Sequence, residues 1–358
     1  MRYILTIILA LCASLCVAQQ MRYVDAAELG VIGQAMPTSK RFGRIDTSAH
    51  NIPKECRSMC DYSTGLAVVF RTNSSRIDAK WHTTERMPSV NMTAITQKGL
   101  DLYILSDRRW VWAGCGRPAA GAKAEHAGTI VTKMAKGEKL CLLYLPIFDN
   151  IEKLEIGVDE GATITAAENP FRHKIVVHGS SITHGASSSR SGMTFPALLQ
   201  REMGLDMINL GFSGSATLQS EMAEYLAKVE DADAFLFDTF SNPSAEQIEQ
   251  RFDRFVDIIR EKHPTTPLIF TQTIRRDNRN FNTSTEEWEA RKQAVAEKMV
   301  RERMKRDKHI YFLPSEEWLG KDNLALSDGT HPTDLGFMRM VEKMEPALRR
   351  IFRREGIK

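Results

Sequence analysis

The chain has 358 residues, 42% hydrophobic and 26% charged, enough for about two ordinary domains with sizeable cores; that balance excludes a solenoid, a coiled coil or a disordered scaffold. Lys plus Arg number 48 against 45 for Asp plus Glu, and a net charge of +3 gives no extended cationic surface for nucleic acid.

Met1-Arg2 is followed by an apolar run over residues 3–17, and Ala18, two residues after the small Cys16, offers a cleavage point before Gln19. Residues 1–18 read as a secretory signal, which predicts a secreted or periplasmic mature chain. The run is short for a bilayer span and nothing later approaches the roughly 20 residues a transmembrane helix needs, so the mature chain is expected to carry no integral membrane segment. Leu11 and Leu15 stand where a small residue would precede a lipid-bearing Cys12 or Cys16. Cleavage leaves Cys56, Cys60, Cys115 and Cys141 in a compartment that permits disulfides. A Cys56–Cys60 bridge, a Cys115–Cys141 bridge and buried free thiols all remain open. A zinc site lacks a second closely spaced Cys or His pair.

Six short alternating segments follow, at 66–71, 76–82, 100–106, 110–114, 139–145 and 153–158, separated by turn residues such as Asn73-Ser74-Ser75. Several short strands with no helical pattern between them predict an antiparallel sandwich over about residues 25–168. Beyond Phe171 the rhythm becomes strand, helix, strand. Apolar runs at 174–178, 207–210, 234–240, 267–273 and 309–313 suit buried parallel strands. Between them Ile248, Phe252, Phe255, Val256 and Ile259 mark one face of a helix, and Ser284 with Glu287 predicts a capping box opening another that runs towards Lys305. The second domain is therefore placed at 172–358, packed closely against the first.

In open parallel sheets, ligands bind beyond the carboxyl ends of the strands, so the residues just after each strand are the ones to search. The first strand runs into His178-Gly179-Ser180-Ser181-Ile182-Thr183-His184-Gly185, a serine on a strand-to-helix turn. A serine hydroxyl needs an adjacent base, and that base needs an acid to fix its tautomer. Of nine histidines only His331 has an acid three residues before it, in Asp328-Gly329-Thr330-His331, after the last strand and before a last helix beginning near Thr333. The second strand runs into Gly211-Phe212-Ser213-Gly214 and the third into Asp238-Thr239-Phe240-Ser241-Asn242-Pro243. The N–H groups of Gly214 and Ser181 and the side-chain amide of Asn242 are suitable donors for a tetrahedral oxyanion, each worth about 3 kcal/mol of barrier. Taken separately, Gly214 also fits a turn glycine and Asn242 a helix cap.

Together the four blocks resemble the SGNH hydrolases, also called the GDSL esterase/lipase family, over about residues 172–358. The resemblance implies that Ser181 is the nucleophile, His331 the base, Asp328 its orienting partner, and Ser181, Gly214 and Asn242 the oxyanion hole. Two departures stand out: Ser180 replaces the family's usual Asp, and Ser241-Asn242-Pro243 lacks the usual preceding glycine and following acid. The block G-S-S-I-T-x-G is most similar to a branch with a β-sandwich ahead of the hydrolase domain, and Gly99-Leu100-Asp101-Leu102-Tyr103 is similar to that leading domain's G-x-D-L-Y signature. The implied architecture is α/β, a three-layer SGNH-type parallel-sheet hydrolase domain preceded by an all-β sandwich.

The expected activity is that of a secreted serine esterase on small acyl esters, acetyl groups on carbohydrate in particular, with no metal or cofactor required. A lysophospholipase or thioesterase acting on longer chains and an inactive glycan-binding protein are the alternatives. His178 and His184 flank the serine without a carboxylate cluster, which favours structural roles over metal binding. Arg275, Arg276 and Arg279 follow the fourth strand, where surface ion pairing is the default and a carboxylated sugar the alternative. Trp110, Trp112 and Tyr103 are expected in the core more than against a sugar ring.

Overall fold

The computed structural model describes residues 20–357, so the expected signal segment at 1–18 lies outside the described residues. The first part of the chain forms β1 (Met21–Asp25), β2 (Gly30–Ile32), β3 (Ala67–Thr72), β4 (Ile77–His82), β5 (Leu100–Ser106), β6 (Arg109–Gly116), β7 (Glu125–Val131), β8 (Lys139–Tyr144), β9 (Lys153–Asp159) and β10 (Ile164–Ala166). Short helices α1 (Arg57–Cys60) and α2 (Ala94–Lys98) interrupt them. The strands form two antiparallel sheets, one in the order β1-β9-β4-β7, the other β10-β3-β8-β5-β6 with β2 beside β3. Strand periodicity explains the sandwich. Val68 and Phe70 on β3, Leu100 and Leu102 on β5, and Cys141 and Leu143 on β8 alternate inwards against Ile77, Ala79 and Trp81 on β4. β1, β2, β7 and β10 were not anticipated; on β7 only His126 and Ile130 are buried, too sparse an alternation to read.

From residue 172 onward the strands are β11 (Arg172–Gly179), β12 (Leu205–Gly211), β13 (Ala232–Asp238), β14 (Leu268–Thr271) and β15 (Ile310–Leu313), all parallel in the order β12-β11-β13-β14-β15. The helices are α3 (Ser181–His184), α4 (Phe195–Met203), α5 (Ser220–Ala227), α6 (Ala245–Lys262), α7 (Thr283–Met304) and α8 (Asp334–Arg354). Successive strand residues serve opposite faces. Val176, Phe235 and Phe237 pack with Met222 of α5, Phe252 of α6 and Val300 of α7. Ile175, Val177 and Leu236 pack with Leu199 of α4 and Met340 of α8. This is a three-layer α/β hydrolase fold preceded by a β-sandwich. Among the described residues no helix is long and apolar enough to cross a membrane.

One expectation changes, and two further features stand out. The Ser284–Glu287 capping box does not form: Asn282 caps α7 by accepting the Thr285 N–H at 3.0 Å, which leaves Ser284 inside the first turn. A capping box occurs instead on α6, between Ser244 and Gln247. The four described cysteines are all free, and burial pushes the Cys56, Cys60 and Cys141 thiols up to about 12, 11 and 12. Finally, the stretch between β2 and β3 leaves the sandwich, and Ile45, Ile52, Met59 and Tyr62 pack into the α/β core beside Phe212 and Tyr225. There the buried Arg44 donates to the carbonyls of Gly211 at 2.8 Å and Met59 at 2.6 Å, replacing the water it has lost.

The six-stranded sheet is covered on both sides. Its outer residues Ala67, Val69, Leu142 and Tyr144 pack with Phe171 and Ala197. The Tyr144 hydroxyl donates to Gln200 Oε1 at 2.6 Å.

Candidate active site

β11 is the second of the five strands, flanked by β12 and β13 where the winding reverses, the place at which open α/β sheets form their crevice. Its last residue, Gly179, lies in register with Gly211 on β12 and Asp238 on β13, so the three following loops start side by side. Two glycines let them turn this tightly. A Cβ on Gly179 would sit 2.3 Å from Thr183 Oγ1 and 2.7 Å from the Asp238 carbonyl; one on Gly211 would sit 2.2 Å from the His184 nitrogen.

Ser180, one of the two departures, does structural work. Its hydroxyl caps α3 by accepting the Ile182 N–H at 3.1 Å and donates to Asp238 Oδ2 at 2.8 Å. Thr183 Oγ1 donates to the same oxygen at 3.0 Å. Burial raises the Asp238 carboxyl above its ordinary range, and these hydroxyls oppose that rise. An acid side chain thus supports the serine turn from the neighbouring strand, where the usual pattern has one adjacent in sequence.

Ser181 follows at the first position of α3 and is buried. Its Oγ lies 2.9 Å from His331 Nε2, and His331 Nδ1 lies 2.8 Å from Asp328 Oδ2. The loop bearing the last two is pinched by the pairing of Leu326 with Pro332 and by Ser327 N donating to the His331 carbonyl at 2.9 Å. Asp328 Oδ1 accepts the N–H groups of Thr330 and His331 at 3.0 and 2.9 Å. Burial raises the Asp328 carboxyl, but the hydrogen bonds from the His331 ring, the His331 N–H and Asn91 outweigh it and hold the group at about 2. A carboxylate, an imidazole and a hydroxyl in this sequence can move the hydroxyl proton to Nε2 while the acid stabilises the resulting imidazolium.

Gly214 lies three residues beyond β12, in a turn closed by Ser215 N on Phe212 O at 3.0 Å, a bond that does not use the Gly214 N–H. Asn242 lies four residues beyond β13 and is not the helix cap, which is Ser244; its Oδ1 is buried without a hydrogen-bond partner among the described residues. The preceding carbonyl, Ser241 O, accepts from Arg276 at 3.1 Å and Lys292 at 3.2 Å, and Glu289 pairs with both cations. Burial lowers the Lys292 ammonium to about 8. The sequence marks only Arg276, as one of three arginines after the fourth strand; the buried clamp beside Asn242 emerges where α7 brings Glu289 and Lys292 to it.

The other candidates are engaged elsewhere. His178 Nδ1 is 2.9 Å from Leu210 O, and His184 stacks on Phe148 with Nε2 2.6 Å from Ile147 O. Arg275 and Arg279 pair with Glu286, and Arg276 with Glu289. Trp110 packs on Phe171 and Tyr103 is buried, whereas Trp112 is half exposed and donates through Nε1 to Asp101 Oδ1 at 2.9 Å. Asp101 Oδ2 in turn accepts the Gly192 N–H at 2.9 Å, so the Gly99–Tyr103 motif ties the sandwich to the segment leading into α4. One contact had no forewarning: Asn91, from the sandwich, reaches Asp328.

Comparisons with known proteins agree with this architecture. The profile of the GDSL-like lipase/acylhydrolase family matches residues 172–349, and that of GxDLY, the N-terminus of SGNH-hydrolase-type esterases, matches residues 21–164. The chain is 43% identical to a GDSL-like lipase from Bacteroides ovatus, covering 93% of this chain and 98% of that one with a TM-score of 0.90. It shares its fold with a salicylyl-acyltransferase from a tetracycline biosynthetic pathway, at 20% identity over 92% of this chain and 97% of that one (TM-score 0.72). It also shares the fold of a family two carbohydrate esterase from Cellvibrio japonicus, at 14% identity over 93% and 98% (TM-score 0.59). A search of curated proteins returns no match.

Proposed function

The chain belongs to the GDSL-like lipase/acylhydrolase family and is an ester-bond hydrolase, and on that footing we propose a secreted serine esterase that removes small acyl groups, acetyl above all, from carbohydrate. The hydrogen-bonded run from Ser181 Oγ through His331 to Asp328 Oδ2 carries this reading. His331 Nε2 takes the Ser181 proton as Oγ attacks the ester carbonyl carbon. The oxyanion is received by the N–H groups of Ser181 and Gly214 and the side-chain amide of Asn242. Collapse expels the alcohol, which leaves with the proton held on His331. Water, deprotonated by the same nitrogen, then attacks the acyl-serine; the acid departs and Ser181 regains its proton.

Export rests on the pattern of residues 1–18, and the acetyl and carbohydrate preference on that export together with the fold shared with a carbohydrate esterase. The mature chain is taken to be two domains, a sandwich at 25–168 followed by the hydrolase domain at 172–358. Ser181→Ala should lower turnover of nitrophenyl acetate by at least roughly 10⁴-fold and abolish labelling by a fluorophosphonate probe, with an unchanged circular dichroism spectrum. Retained turnover or labelling overturns the assignment. Acyl esters of graded length, followed by acetate release from acetylated polysaccharides, then define the substrate.

A further inference from the structure

The Asp328 carboxylate has a fourth hydrogen bond that the catalytic unit itself does not supply. Oδ1 is filled by two backbone N–H groups of its own loop, and Oδ2 by His331 Nδ1. The remaining site on Oδ2 is taken by Asn91 Nδ2 at 3.0 Å, from a loop of the sandwich 237 residues earlier in the chain. We infer that Asn91 is a positioning residue for the hydrolase reaction, fixing the rotation of the Asp328 carboxylate so that its Oδ2 stays directed at His331. The inference rests on the assignment of Ser181, His331 and Asp328 made above.

The loop is constructed for that placement. Buried Gln97, on α2, grips it from beneath, its Oε1 accepting the Ser89 N–H at 2.6 Å and its Nε2 donating to Met87 O at 3.0 Å. On the far side Thr93 Oγ1 donates to Ser189 O at 2.6 Å. The Asn91 carbonyl accepts Ser187 Oγ at 2.9 Å, and Ser187 Oγ accepts from Ser327 Oγ at 2.8 Å, which ties the loop to the residue before Asp328. Val90 is fully exposed, so hydrogen bonds, rather than apolar burial, hold the segment. Asp328 itself is about one-third exposed, and without Asn91 water would compete for Oδ2 and leave the carboxylate free to turn.

The test is a double-substitution cycle on the full chain, with kcat and KM for nitrophenyl acetate as readouts. Asn91→Ala should lower kcat roughly tenfold with KM within about twofold, the loss of one hydrogen bond to a charged group. Asn91→Asp, which keeps the shape but faces one carboxylate with another, should lower kcat further. In an Asp328→Asn background the Asn91→Ala effect should shrink to under about twofold, since a residue acting through Asp328 has nothing left to position. An unchanged kcat in both Asn91 variants overturns the inference, as does a tenfold loss that persists without Asp328. If Asp328→Asn alone retains full kcat, the catalytic assignment falls and this inference with it; loss on Asp328→Asn with silent Asn91 variants sinks only the role of Asn91. Should Asn91→Ala fail to fold, the isosteric Asn91→Asp carries the same comparison.

Discussion

The two sides of the candidate site are built on opposite plans. On one, residues 180–184 are all buried, set on the end of β11, with Asp238 beneath and the Gly211 backbone alongside. On the other, none of residues 327–331 is buried, and their loop is shaped by backbone hydrogen bonds and a side chain borrowed from the sandwich. The difference assigns different failure modes. Damage to the Ser181 side should reach stability and activity together, whereas damage to the His331 side should reach activity alone.

The largest effect tests the exposed side. On the proposed assignment, Asp328→Asn should lower kcat by about 10⁴-fold, over 5 kcal/mol of barrier, because the imidazole tautomer is no longer enforced. The melting temperature should move by no more than about 2 °C, as expected for an exposed loop; a large drop would mean that this side is part of the folding core after all. Next, Gly211→Ala forces a methyl against the His184 backbone and should cost roughly 4 kcal/mol of stability while also depressing kcat. A variant that melts normally but is slow would erase the contrast. The last effect is one of pH. Burial lowers His178 to about 4 and His184 well below its ordinary range, so both stay neutral in the folded chain while the unfolded chain takes up protons near pH 6.5. Stability is therefore complete above pH 6.5 and declines as pH falls towards 4, by roughly 3 kcal/mol for His178 alone. Asp328, held at about 2, gives up its share only below about pH 4. Calorimetry at pH 7, 5.5 and 4.5 should show a falling midpoint; a flat one contradicts the burial of the two rings.

The same contrast governs how much was legible beforehand. The parallel strands announce themselves because each is apolar on both faces, and α6 because Ile248, Phe252, Phe255 and Val256 fall on one stripe. Ser181 was readable as a candidate because it follows a strand end, and Asp328 and His331 because they form a short local motif between the last strand and the last helix. What was hidden is whatever works across long sequence distances. Arg44 reads as a surface charge until the carbonyls of Asn209 and Gly211 surround it. Asn91 reads as one polar residue in a polar loop, and Asp238 as the end of a strand, until their partners are in place. The cap of α7 was misplaced because Ser284 and Asn282 are both competent cap residues and only the backbone path decides between them.

Arg44 finds one carbonyl acceptor nearby, on Met59, and two others 165 and 167 positions further along the chain. During synthesis the leading half emerges long before the two distant acceptors exist, and the guanidinium stays partly in water until β12 arrives. The final shape of the first half thus waits on the second, because residues 44–62 complete their packing only against the later strands.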